Sequence, residues 1–159
     1  MHKIKELYSR EEAKKIKESF WTSFGMYMSP IPNADGEKVT WVNYKTGIRY
    51  LFFRMEATNK IAQIGIEIAN PDEGIRALIF EQFKEFKAVL EAELEEEWIW
   101  DELSYDENGK ATARIYTEIK GVSVFKREDW PELISFFKPR IIALDSFWSS
   151  AQYGFDLFK

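Results

Sequence analysis

The chain has no cysteine among its 159 residues, which excludes disulfides, thiolate nucleophiles and thiolate-bound zinc. Histidine occurs once, as His2, at an end that chains commonly leave frayed. Ser-His-Asp catalysis and histidine metal clusters go with it. No run approaches the ~18 apolar residues of a membrane span, and the densely charged start lacks the apolar stretch of a signal peptide. No glycine-rich phosphate loop is present. Carboxylate, lysine, arginine, tyrosine and backbone chemistry remain. The expected setting is the cytoplasm, without membrane contact.

The rest is an ordinary globular composition, 45% hydrophobic and 31% charged. The length suits one α+β domain over residues 1–159, large enough to bury about 70% of its unfolded surface. The net charge of −5 is unevenly placed. Residues 1–60 carry 11 Lys/Arg against 7 Asp/Glu, whereas residues 61–118 carry 5 against 15. An acidic middle argues against a dedicated duplex-DNA binder, which needs a basic face. It leaves room for a small basic patch built from the first third. The glutamates between Glu91 and Glu97 read as a solvated helix end.

Local signals give the element order α-β-β-β-α-β-β-α. Ser9-Arg10-Glu11-Glu12 is a capping box, followed by an apolar stripe of Ala13, Ile16, Phe20, Phe24 and Tyr27. Strands are expected at Val39–Tyr44, Ile48–Glu56 and Ile61–Ala69, the last with Ala62, Ile64, Ile66 and Ile68 on one face. Asn70-Pro71-Asp72-Glu73 opens a second helix carrying Ile75, Ile79, Phe83, Phe86 and Leu90. Strands at Glu97–Leu103 and Ala111–Ile119 flank the hairpin signal Asn108-Gly109, and Val122–Phe125 is a candidate short strand. The last helix starts at Asp129-Trp130-Pro131-Glu132, and Pro139 should kink or split it. The second helix is long enough to return a strand parallel to the first group. The expected fold is therefore α+β, with helices packed on a single mixed sheet.

Several stretches are similar to an uncharacterised bacterial family, domain-of-unknown-function family 4268. They are Phe20-Trp-Thr-Ser-Phe24, Trp41-Val-Asn-Tyr-Lys-Thr-Gly47, Phe53-Arg-Met55, Phe80-Glu-Gln-Phe83, Asp129-Trp-Pro131, Lys138-Pro-Arg-Ile-Ile-Ala-Leu-Asp145 and Phe147-Trp148. The resemblance covers nearly the whole chain and carries no established activity. Some members resemble the C-terminal part of longer chains with a nuclease-like region. By association, the resemblance implies a place near nucleic acid or defence systems.

The order α-β-β-β-α-β is also that of the restriction-endonuclease-like core, which sets an acid on its second strand and Glu/Asp-x-Lys on its third to hold a divalent metal. The corresponding candidates are Glu56 and Glu67, with Mg²⁺ as the implied cofactor. Ala69 stands where the lysine is needed, so the pattern is broken; strand pairing with Arg54, Arg114 or Lys60 is the plainer expectation. Nothing in the spacing of Asp101, Glu102 and Glu118 selects a glycosidase pair. With no catalytic set, no resident cofactor is expected.

The aromatics are the unusual feature, at 13 Phe, 7 Tyr and 6 Trp. Trp41 and Tyr44 beside Arg49, Arg54 and Arg114 would suit a face that binds a protein or nucleic-acid partner. The plainer reading is an aromatic core with ion-paired strand arginines. Buried tryptophans and an ion-paired Arg54 would sink the binding face. The crowded Tyr153, Phe155, Leu157 and Phe158 either dock on the core or form a homodimer patch. The sequence thus favours a non-catalytic binding or accessory domain, with a divergent metal-dependent nuclease as the alternative.

Overall fold

A computed structural model describes residues 9–159, so His2 lies outside the described residues. Ser9 caps the first described helix, α1 (Arg10–Met28), its Oγ accepting from the Glu12 amide at 3.1 Å. Phe20, Phe24 and Met28 form the buried stripe. Tyr27, expected on it, is half exposed and Met28 takes its place.

Strands β1 (Leu51–Ala57) and β2 (Ile61–Ile68) form a hairpin. Next come α2 (Glu73–Glu85) and α3 (Lys87–Leu94), where one helix was expected. The break falls at Phe86, which leaves helical geometry (φ −97°, ψ 9°) and caps α3 without a side-chain bond. Asp72 rather than Asn70 caps α2, accepting from the Ile75 amide at 3.0 Å. Asn70 instead closes a turn onto the Asp72 amide. Strands β3 (Ile99–Tyr105) and β4 (Ala111–Lys120) meet at the Asn108-Gly109 hairpin, where Gly109 takes φ +77°. The last helix, α4 (Trp130–Ala151), runs through Pro139 without splitting. A 3₁₀ segment over Gln152–Phe158 follows it.

The fold is α+β, with one four-stranded sheet in the order β1-β2-β4-β3. Every neighbouring pair is antiparallel, so the sheet is not mixed. The helical crossover does return β3 in the direction of β2. The hairpin then places β4 between them, and no parallel ladder forms. Val122–Phe125 stays outside the sheet; the Val122 and Val124 amides donate to the Lys60 and Thr58 carbonyls.

The largest departure is at residues 29–50. The strand expected over Val39–Tyr44 does not form; only an isolated bridge joins Lys45 to Phe52. Asn43 and Tyr50 have φ of 61° and 64°, and such backbone cannot continue an extended ladder. Tyr50 also delays the start of β1 to Leu51. Among the described residues the element order is therefore α-β-β-α-α-β-β-α, one strand short of the restriction-endonuclease-like order before the second helix.

The core lies between the inner face of the sheet and the helices. Phe53, Ile64, Ile66, Ile68 and Ile115 meet Leu133, Phe137, Ile141, Leu144 and Trp148 of α4. A patch of packed rings, Phe83, Phe147, Trp148 and Phe155, closes the α2 end. Phe155 is fully buried there, whereas Tyr153 and Leu157 stay exposed. Arg140 clasps the α3–β3 junction, its Nε and Nη2 donating to Glu96 at 2.8 and 2.9 Å. Partial burial pushes the Glu96 carboxyl up. Hydrogen bonds from Arg140 and Trp98 outweigh that and, with the Arg140 charge, hold it below the usual range. Among the described residues, no helix is long and apolar enough to cross a membrane.

Candidate functional site: a cationic groove along the free edge of the sheet

The irregular segment before β1 is tied to α4 through polar contacts. Asp145, buried among the apolar residues of that helix, accepts from the Ala34 amide (2.8 Å) and the Tyr44 hydroxyl (2.6 Å). Trp148 Nε1–H donates to the Thr46 carbonyl at 2.8 Å, and Ser149 Oγ donates to Asp35 at 2.7 Å. Burial pushes the Tyr44 hydroxyl well above the ordinary tyrosine range. The bond to Asp145 and the charges of Asp145 and Asp35 add to the shift. These ties, with the Lys45–Phe52 bridge, set residues 40–50 beside β1 as one wall of a groove. Glu18, Trp21 and Thr22 of α1 form the other wall, and Leu51–Met55 of β1 the floor.

The groove encloses about 1230 Å³. Five consecutive residues of β1 line it. Strand side chains alternate between faces, so only a groove running along the strand edge meets them all. Its cations are Lys45, Arg49 and Arg54, and among the described residues Glu18 is the only acid lining it. Lys45 and Arg49 have no ion-pair partner among the described residues. Arg49 lies over the Tyr50 ring at 5.1 Å.

The structure divides the predicted site residues. Tyr44, Arg49 and Arg54 line the edge groove. Trp41 does not present its ring to a partner: it is 3% exposed and its indole N–H donates to the Ile31 carbonyl at 3.0 Å. Trp98, Trp130 and Trp148 are buried as well, while Trp21 and Trp100 are half-buried. The tryptophans thus build the core, and with Arg54 paired to Glu67 at 2.8 Å the expected aromatic–arginine binding face of the sheet is overturned. Arg114 lies on the outer face of the sheet, over Tyr116 at 4.1 Å, and donates to Gln63 at 3.2 Å.

That outer face holds a second cavity of about 530 Å³, bordered by Arg54, Glu56, Gln63, Glu67, Asp106 and Arg114. Part of its charge is paired internally. Arg54 Nε donates to Glu67 at 2.8 Å, and Gln63 donates to Glu118 at 2.7 Å. Glu56 and Glu67 share the face, since Glu56 pairs with Gln63 four residues from Glu67. That spacing sets them roughly 13 Å apart along the strand, with Arg54 between. No group of three or more aspartate, glutamate or histidine side chains suited to a metal occurs among the described residues. Gly65 lies at the centre of this face, where an added Cβ would come within 2.5 Å of the Tyr116 Cβ.

Sequence reasoning reached the groove's arginines and Tyr44 but missed Asp145, which in the sequence is one polar residue in an apolar stripe. A family model described as a domain of unknown function (DUF4268) matches residues 16–152. Neither a curated protein nor a solved structure matches the chain.

Proposed function

Starting from a chain that belongs to the DUF4268 family, we propose that it is a non-catalytic binding module of the cytoplasm. Its edge groove takes an anionic segment of a macromolecular partner. The observation that carries this reading is the pair Lys45 and Arg49, set in a groove with one acid and lacking ion-pair partners among the described residues. In a chain of net charge −5, a cationic groove concentrates anionic partners locally. An accessory place beside a nuclease follows the association that the family resemblance implies.

The test is fluorescence anisotropy with labelled polyglutamate and labelled oligo-dT at low salt. Saturable binding of either is expected, weakening as salt rises and falling in a Lys45→Glu/Arg49→Glu variant. Binding of neither would overturn the reading.

A metal-dependent nuclease built on Glu56 and Glu67 is the second reading. The shared face of the two carboxylates favours it. Their spacing, the intervening Arg54 and Ala69 in place of lysine weigh against it. Calorimetric titration of Mg²⁺ and Mn²⁺ decides: heat that disappears in Glu67→Ala would revive it.

A further inference from the structure

The free side of β1 has a defined hydrogen-bonding pattern. Thr58 N–H donates to the Ile61 carbonyl at 2.9 Å and Ala69 N–H to the Tyr50 carbonyl at 2.8 Å. In the register between these points, residues 52, 54 and 56 exchange bonds with β2, and residues 51, 53, 55 and 57 turn their amides and carbonyls outward. Leu51 is satisfied locally, its amide by Ile48 and its carbonyl by Thr46 Oγ1 at 2.9 Å. The Lys45–Phe52 bridge closes the edge through the outward groups of Leu51 and Phe53. Beyond it the Met55 amide and carbonyl face the groove, and Met55 lines it.

We propose that the groove admits an extended acidic peptide, which adds to β1 as a fifth strand. This deepens the binding-module reading and rests on it. Backbone of the partner would pair with Met55, and its carboxylates would meet Lys45 and Arg49. A peptide fits better than single-stranded nucleic acid for two reasons. A phosphodiester backbone has no N–H to offer the outward carbonyls. The rings a base would stack on already have neighbours: Tyr50 has Arg49, Phe52 has Arg54 at 4.1 Å, Tyr44 has Phe53 at 5.2 Å, and Trp21 has Phe137 at 5.1 Å.

The test titrates a fluorescein-labelled, end-capped decapeptide alternating glutamate with valine into the full chain. Saturable binding is expected, together with slowed hydrogen exchange of the Met55 amide in the complex. A peptide N-methylated at alternate residues should bind about tenfold more weakly, having lost the strand donors. That change leaves the protein untouched, so a folding defect cannot imitate it. Equal binding of the methylated peptide, or unchanged exchange at Met55, overturns strand addition and leaves the cationic groove standing. Oligo-dT bound in place of the peptide overturns the choice of partner. Dimerisation of the free chain that the peptide does not reverse, seen by sedimentation, would make a second copy the occupant and overturn it too. Binding of neither probe removes the groove reading as well.

Discussion

At one edge of the sheet, β1 holds seven uninterrupted register pairs with β2. At the other, β3 slips register between Asp101 and Ser104, so that Glu102 and Leu103 stand opposite Ala113 alone. A bulge twists an edge out of line and discourages further pairing. Acids at Asp101 and Glu102 add charge to the same stretch. The β1 edge has no bulge. It is guarded instead by a folded segment on one side, a helix on the other, and cations between them. One edge is closed by its own backbone, the other by neighbours that leave a gap.

The sharpest way to break this contrast is to release the β1 wall. Trp148→Ala removes a buried ring, its bond to Thr46 and its contacts with Phe53 and Phe83. A loss of about 3–5 kcal/mol is expected, measured by guanidinium denaturation. A loss below about 1 kcal/mol would mean the wall is anchored elsewhere. Asp145→Ala should cost about 2–3 kcal/mol, because the Ala34 amide and the Tyr44 hydroxyl lose their acceptor. Asp145→Asn should recover part of this.

The same contact predicts a pH response. The folded state holds Tyr44 protonated beyond the ordinary range. The stability it contributes is therefore present below about pH 10 and is lost as pH rises above that value. Tyr44→Phe should flatten this part of the alkaline limb in a pH series of denaturation curves. An unaltered limb would assign it to other groups.

Gly65→Ala tests whether the two edges are mechanically joined. The new methyl would press on Tyr116 across β2 and β4, at a cost of about 1–3 kcal/mol. Faster amide exchange at the β2–β4 seam than in the β1–β2 hairpin is the expected signature. Deleting Glu102 should perturb stability least. It evens the count opposite Ala113 and leaves β3 straight, so concentration-dependent self-association is expected in sedimentation velocity. A strictly monomeric variant would show that the bulge does not guard that edge.

Much of the fold could be read from local signals. Ser9 caps α1, the alternating isoleucines of β2 face the core, and Asn108-Gly109 turns the last hairpin, because each depends on a few neighbouring residues. Val39–Tyr44 misled because its alternation resembles a strand, while its conformation is set by Asp145 about a hundred positions away. Tertiary contacts overrode local pattern there. The break at Phe86 involves neither glycine nor proline, so nothing local announced it. The groove's cations were visible as residue types in the basic first third of the chain. Trp41 is a binding-face candidate by residue type alone, and burial of its large ring with a carbonyl for its N–H favours the plainer core reading.

The long reach of Asp145 also bears on the order in which the protein acquires its properties. Its partner Ala34 precedes it by 111 positions. On the ribosome, α1 and the β1–β2 hairpin emerge well before α4 does. Until that helix docks, the groove has only one wall. An unfinished chain would therefore expose the β1 edge without the selectivity of the completed groove, and a transient detachment of α4 would return it to that state. On the proposed function, discrimination between partners is acquired only once α4 has emerged and docked.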